Sequence, residues 1–389
     1  MFRVAGCLLL SGLGLGDSAP QLHMVDPVKV GHVRMVNLTG TQPEKELGRV
    51  VEMRTLALSP PIFYVAGLLD AAEADAIVQA ANASGELFSS QVHSPNADIS
   101  GRSLRASSKA FSELFHQFDA NEDKALNAEE LRRLLTFEFD VPNNDFGAFL
   151  ARYNLSSSSI TLAELQKKSV DFGEYMQWLV REQPHRRSRF SKQTWLRYKL
   201  PATRLLRSRV KRITELPSEI VRRAEQLQVL RYPHLGHYSC HHDSSPDDLE
   251  EGSTVRLATV AFFLNEAEGG GEIAFPGADH PDEHVYGEEE WSDLESTCQP
   301  TPACTRMGGL VVKPKKGDAV WWYNMKASLW AEDGSGRSPG QEALYWNSMH
   351  CGAEVTAGEK WMANLWLQSP PRARGAQGRQ NRRTEGNEL

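Results

Sequence analysis

His241-His242-Asp243 places a histidine and an aspartate two residues apart. On an extended strand, side chains i and i+2 share one face, so this imidazole and carboxylate can take adjacent positions on one metal ion. A distant histidine would complete a set of two imidazoles and one carboxylate on one octahedral face. Three positions then stay open, which suits iron(II) that must hold a chelating cosubstrate and dioxygen, whereas zinc more often takes a four-coordinate site. Alone the motif is weak: twelve histidines and abundant aspartates should produce roughly one such pair by chance, and His280-Pro281-Asp282 is a second. That second pair lies in a loop rich in Pro, Asp and Glu and reads as solvated. His237 and His242 read as structural or supporting residues, and His234 as a turn residue. The first pair is distinguished by its setting. A strand-like Gln228-Val229-Leu230-Arg231-Tyr232 precedes it, and His350 is followed ten residues later by Lys360-Trp361.

The elements that must hold these residues are strands. Segments of β type run over Gln228 to Tyr232, Thr254 to Leu264, Gly309 to Lys313, Ala319 to Tyr323 and Glu359 to Leu367. Turn signals such as Gly269-Gly270-Gly271 and Pro314-Lys315-Lys316-Gly317-Asp318 separate them. Short strands with glycine turns indicate a sandwich or jelly roll. Upstream, Pro60 to Val65 reads as a strand, and Asp70 as the cap of a helix through Ala81, with Glu73 and Asp75 near its positive end.

Between these parts lies a different pattern. Phe111, Leu114, Phe115 and Phe118 fall on one helix face and lead into a twelve-residue loop from Asp119 to Glu130, an EF-hand loop in outline. Asp119, Asn121 and Asp123 occupy positions one, three and five, Ala125 offers its carbonyl, Asn127 is at nine, and Glu130 can chelate bidentately. Lys124 stands where glycine normally makes the sharp turn; a Cβ there costs on the order of 1 kcal/mol, and its ammonium adds positive charge. A second, similar unit follows, with Phe146, Phe149, Leu150 and Tyr153 as the entering face and Ile160 and Glu164 matching Leu126 and Glu130. Its loop is one residue short and lacks early carboxylates, so no calcium is expected there. For the first loop two readings stand: a weakened calcium site, or a helical subdomain that binds no metal.

Composition sets the limits. A chain of 389 residues suffices for more than one folding unit, and a net charge of -7 with pI near 6.0 argues against a general nucleic-acid binder. Residues 1–18, with Arg3 ahead of a short apolar run, read as a signal peptide or as a merely apolar N-terminus, and no later segment looks transmembrane. Membrane association stays open. Sequons at Asn37, Asn82 and Asn154 fit a glycoprotein on the secretory route, and the terminal Glu388-Leu389 is a fragment of a retrieval signal for the endoplasmic reticulum. Without Cys7, four cysteines remain. Cys298 and Cys304 flank a Pro-containing loop; Cys240 and Cys351 each adjoin a proposed ligand and fit either a disulfide or two buried thiols. The expected organisation is a signal peptide over 1–18, a leader over 19–57, the start of the main domain over 58–100, the insertion over 101–175, a jelly roll over 176–370 and a disordered tail over 371–389.

The strand Gln228 to Tyr232, Gly236-His237-Tyr238, His241-x-Asp243, Arg256-x-x-Thr259-Val260, Phe263-Leu264-Asn265, Gly269-Gly270-Gly271-Glu272 and Phe275-Pro276 together resemble the prolyl 4-hydroxylase family. The paired EF-hand pattern ahead of this core resembles its transmembrane branch, and the likeness covers roughly residues 58 to 370. The resemblance implies an α+β protein: a double-stranded β-helix, or jelly-roll, dioxygenase core with supporting helices and an inserted helical EF-hand pair. It implies a 2-oxoglutarate-dependent oxidoreductase, a procollagen-proline-type 4-dioxygenase, acting on a prolyl-containing polypeptide in the endoplasmic reticulum or secretory pathway. Fe(II), 2-oxoglutarate and O2 would be required, with L-ascorbate as accessory reductant. His241, Asp243 and His350 would hold iron, Lys360 would pair with the distal carboxylate of 2-oxoglutarate, Tyr232 would hydrogen-bond it, and Arg256 and Trp366 would line the substrate side. A buried anion requires a compensating cation, which agrees with the part given to Lys360. Ile273 departs from the family's usual Thr, which implies a lost cosubstrate contact and weaker binding of 2-oxoglutarate. Two other readings use the same residues: a calcium-responsive binding protein on an inactive dioxygenase scaffold, and a zinc hydrolase, in which Lys360 has no part.

Overall fold

The computed structural model describes residues 23–39, 48–85, 87–90, parts of 112–167, 182, 189–245, 254–281, 309–326 and 343–369. The expected signal peptide, the Cys298 and Cys304 pair, the second short loop and the tail lie outside these residues.

Two antiparallel sheets form the framework. The larger has nine strands in the order β1 (Val33–Asn37), β2 (Val50–Leu58), β3 (Pro61–Ala66), β15 (Ala319–Tyr323), β11 (Arg256–Phe263), β18 (Lys360–Gln368), β9 (Leu227–Tyr232), β8 (Lys192–Leu196), β4 (Phe88–Ser89). The smaller has five, in the order β14 (Leu310–Val312), β13 (Ile273–Phe275), β16 (His350–Gly352), β10 (His237–His241), β7 (Arg189–Phe190). A short pair, β12 (Gly269–Gly270) with β17 (Val355–Ala357), joins the glycine turn to the segment after His350. Crossovers between non-consecutive neighbours and two facing sheets give the jelly-roll core.

Alternation along the strands decides which side chains meet. On one face of the large sheet Leu230, Tyr232, Ala261, Phe263, Val320, Trp322 and Met362 pack against Ile273, Phe275, Val312 and Val355 from the smaller sheet side. On the other face Val229, Val260, Phe262, Trp321, Ala363 and Leu365 pack under helices α1 (Ala71–Ala83), α4 (Leu206–Thr214) and α5 (Ser218–Arg223). β11 is buried on both faces, which is why its sequence after Arg256 is apolar except for Thr259. Asp70 caps α1 in a reciprocal box: its carboxylate accepts the Glu73 N–H and Glu73 accepts the Asp70 N–H, both at 2.8 Å.

Residues 19–57 require a correction: β1 and β2 fall within the expected leader and extend the large sheet. The physical reason is the strict alternation of Val50–Leu58, which buries Val51, Met53 and Ala57. The insertion contributes a two-stranded ribbon, β5 (Ala125–Asn127) with β6 (Ser159–Thr161), followed by α2 (Ala128–Thr136) and α3 (Leu162–Lys167) respectively. Leu126 and Ile160, matched in the sequence, are paired partners and both are buried.

Candidate active site

His241 ends β10 and His350 begins β16, and the two are register partners across the small sheet. Asp243 lies two residues past the end of β10, so the turn after the strand, rather than the strand itself, brings its carboxylate back toward the imidazoles. His241 Nε2 is 3.9 Å from Asp243 Oδ1, and His350 Nε2 is 3.8 Å from Asp243 Oδ2. One ligand atom from each of the three lies within 4.8 Å of the others, and among the described residues this is the group of His, Cys, Asp and Glu that converges in this way.

Each ring is oriented by its own backbone. His241 Nδ1 donates to the Ser239 carbonyl at 2.8 Å and His350 Nδ1 to the Ser348 carbonyl at 3.1 Å, which leaves both Nε2 lone pairs for a metal. Tyr238 stacks on His241 at 3.6 Å between centroids, and Trp322 meets His350 edge-on at 4.6 Å. Burial, reinforced by His350, holds the His241 pKa well below the usual histidine value, so the ring stays neutral and able to ligate. Burial opposes ionisation of Asp243, but His350, His241, Arg256 and the Thr259 hydroxyl outweigh it and set its pKa at about 2. Thr259 Oγ1 donates to Asp243 Oδ2, and Asn324 Nδ2 donates to Thr259 Oγ1 at 3.0 Å. Two imidazoles with their Nε2 atoms turned inward and one oriented carboxylate fit iron(II).

Beside the triad, Lys360 and Tyr232 are register partners on β18 and β9, both inside the barrel, with the Lys360 ammonium 5.2 Å from the Tyr232 ring centroid. Lys360 is 1% exposed, and burial brings its pKa down to about 7, with Glu272 pulling the other way. Gly271, at φ +76°, makes room for it: a Cβ there would come within 3.1 Å of Lys360 Cδ. Ile273 is buried on β13 between Gly352 and Val312. Arg256 lies with its guanidinium 3.7 Å over the Trp366 ring, and Glu225 holds it through two hydrogen bonds of 2.7 and 3.1 Å. His237 bonds the Leu235 carbonyl, and His242, whose pKa burial depresses to about 4, bonds the Trp346 carbonyl at 2.5 Å; both are structural.

The sequence reading missed several residues. Trp195 on β8 is 40% exposed and 5.8 Å from Trp366, continuing the aromatic surface outward. Arg189 on β7 is buried over the Tyr238 ring at 4.4 Å, beside Tyr232. Thr259 and Asn324 support Asp243. An exposed tryptophan on a strand was the one signal available for Trp195; the others depend on packing across sheets.

In the insertion, Lys124 has φ +68° and its N–H donates to Asp119 Oδ2 at 2.9 Å, while Ala125 N–H donates to Asp123 Oδ1 at 2.8 Å. Asn121 Oδ1 accepts the Asp123 N–H, and Glu130 accepts the Ala120 and Asn127 N–H groups at 3.1 and 2.9 Å. The carboxylates of Asp119, Asp123 and Glu130 thus accept hydrogen bonds from the loop's own backbone.

Residues 227–368 match the 2OG-Fe(II) oxygenase superfamily model. Transmembrane prolyl 4-hydroxylase of Mus musculus is 32% identical over 91% of this chain and 71% of its own length. The Homo sapiens protein of the same name is 31% identical over 94% and 73%. Among solved structures, the viral collagen prolyl hydroxylase of Paramecium Bursaria Chlorella virus-1 in its 2OG complex is 24% identical, with a TM-score of 0.30, over 47% of this chain and 80% of that one. Both matches cover more than nine-tenths of this chain, and the chain belongs to the transmembrane prolyl 4-hydroxylase family.

Proposed function

We propose that the protein hydroxylates prolyl residues of a polypeptide at C4, using Fe(II), 2-oxoglutarate and O2, with succinate and CO2 as coproducts and L-ascorbate as accessory reductant. The observation that carries this reading is the His241, Asp243 and His350 cluster together with one fully buried lysine on the same barrel interior. Bound iron with its cosubstrate supplies the oxidising power for the C–H bond. The chain's own residues supply the rest. His241, Asp243 and His350 hold the metal on one face. Lys360 pairs with the distal carboxylate of 2-oxoglutarate, whose charge would restore the ammonium that burial disfavours. Tyr232 adds a hydroxyl at the same end.

On the substrate side, Arg256, fixed by Glu225, and the faces of Trp366 and Trp195 form a surface suited to a proline-containing peptide, which docks on aromatic side chains without a large ordering cost. The secretory route is supported by the buried Cys240–Cys351 disulfide, since disulfides persist in oxidising compartments, and by exposed sequon residues Asn37 and Asn82. Calcium at Asp119 to Glu130 belongs to this reading as a weak site, its affinity reduced by Lys124 in a left-handed conformation.

The test is 2-oxoglutarate turnover by iron-loaded protein with and without proline-rich peptides. Peptide-dependent succinate and a +16 mass on proline are expected, with none from His241→Ala. Full turnover by His241→Ala would refute the iron assignment.

A further inference from the structure

Cys240 and Cys351 form a disulfide between β10 and β16, and each cysteine is the immediate neighbour of a histidine of the triad. Its position in the small sheet matters more than the loop it closes. The β10–β16 ladder has Tyr238 opposite Gly352 and His241 opposite His350, so the register slips by one residue between them. A slip of this kind interrupts the regular ladder of backbone hydrogen bonds between the two strands. β13 pairs with the far side of β16 at Cys351 and Gly352. The bridge therefore spans the interruption in the β10–β16 ladder, at the residues next to His241 and His350. Both half-cystines are 1% exposed, with Cα atoms 4.1 Å apart.

We infer that the Cys240–Cys351 disulfide is a positioning element of the metal site, holding the His241 imidazole against His350 where the ladder between their strands is interrupted just before that pair. The inference rests on the iron reading. Neither sulfur is itself a ligand in it; the pair acts through the two histidines. A covalent tether of this kind restricts how far the two Nε2 atoms can separate, so that metal binding need not order them. Its loss should weaken metal binding more than it affects the pocket around Lys360 and Tyr232, which lies on β18 and β9 in the other sheet.

The experiment is a Co(II) titration of the full chain, followed by the visible ligand-field bands and by calorimetry, on wild type, His241→Ala and Cys240→Ala/Cys351→Ala. Metal affinity is expected to fall at least tenfold in the double variant, while the 2-oxoglutarate dissociation constant at saturating metal stays within twofold of wild type. Wild-type metal affinity in the double variant, with only a lower Tm, would reduce the bridge to a structural staple and overturn the inference. Should the double variant fail to fold, the same titration is made on wild type reduced with dithiothreitol, which converts the two sulfurs to thiols and is itself oxidised to its cyclic disulfide. Equal affinities of reduced and oxidised protein would again overturn it. Absence of binding by oxidised wild type itself, equal to that of His241→Ala, would instead bring down the iron reading.

Discussion

Thr259 donates its hydroxyl to Asp243 Oδ2 at 2.5 Å, from a strand of the large sheet to a carboxylate presented by the small one. This bond anchors Oδ2, the oxygen that faces His350, while Oδ1 faces His241, and Asn324 in turn fixes the hydroxyl. Such supporting partners are typically worth 10- to 100-fold in metal affinity. Thr259→Val keeps the shape and removes the bond, so Fe(II) or Co(II) affinity should fall by about that factor with little change in Tm; an unchanged metal dissociation constant would show that Asp243 is held by the turn alone.

Lys360 makes 2-oxoglutarate binding depend on pH. Its pKa in the free protein is about 7, because burial disfavours the ammonium, and pairing with a carboxylate raises it. Below pH 7 the lysine is already cationic and affinity is flat. Above pH 7, binding must take up a proton, so the apparent dissociation constant should rise toward tenfold per pH unit. Lys360→Met should weaken binding by about 100-fold and abolish this dependence. Calorimetry in buffers of different ionisation enthalpy, run from pH 6 to 9, would measure the proton uptake; none at pH 8 would refute the assignment.

The same depressed pKa affects folding in the opposite sense from a paired surface lysine. The unfolded chain binds the proton more tightly than the folded one between about pH 7 and the ordinary lysine value, so the lysine's penalty is fully present below pH 7 and disappears as pH rises. Lys360→Met should accordingly raise the Tm of the ligand-free protein at pH 6 more than at pH 10.

Ile273 is buried in the cluster that includes Tyr232, at the position where the family resemblance expects threonine. Ile273→Thr should lower the KM for 2-oxoglutarate by about tenfold, in keeping with about 1.5 kcal/mol for a bond to a charged group. The ligand-free protein should lose about 1 to 2 kcal/mol from burying an unused hydroxyl in an apolar wall, read by chemical denaturation. A tighter KM without that loss, or the loss without a tighter KM, would place the hydroxyl elsewhere.

Trp195 is a strand residue with an exposed ring beside Trp366. Trp195→Ala should raise the peptide KM about tenfold, within the range of a lost aromatic contact, while leaving peptide-independent 2-oxoglutarate turnover unaltered. In the insertion, Lys124→Gly should tighten calcium binding roughly fivefold by relieving a left-handed Cβ and removing a charge. Calorimetric titration showing no calcium binding by either protein would remove calcium from the proposed function.

Much of this protein could be read along the chain. His241-x-Asp243 was marked by residue type and spacing, the parts of His350 and Lys360 were given by the family resemblance, and β15 runs over the same residues that its apolar pattern marked, Ala319 to Tyr323. Glu73, placed in the sequence as a first-turn acidic residue, also receives the buried Arg209, a contact 136 residues away that no local pattern encodes. The β1–β2 pair was missed although the burial of Val50–Leu58 alternates, because its residue types do not: Val50 and Leu58 are exposed and Thr55 is buried.

What the sequence by itself determined is the chemistry available: the ligand types, the lone basic group of an apolar strand, the apolar periods that make two sheets. The tertiary structure decided how those groups act. It placed Asp243 in a turn whose carboxylate is aimed by Thr259 from the opposite sheet, set Lys360 against Tyr232, and joined Cys240 to Cys351 rather than leaving two thiols. The physical reason is that residue type and period are local properties, whereas pairing register, burial and pKa are set by neighbours that the chain brings together only when the sheets close.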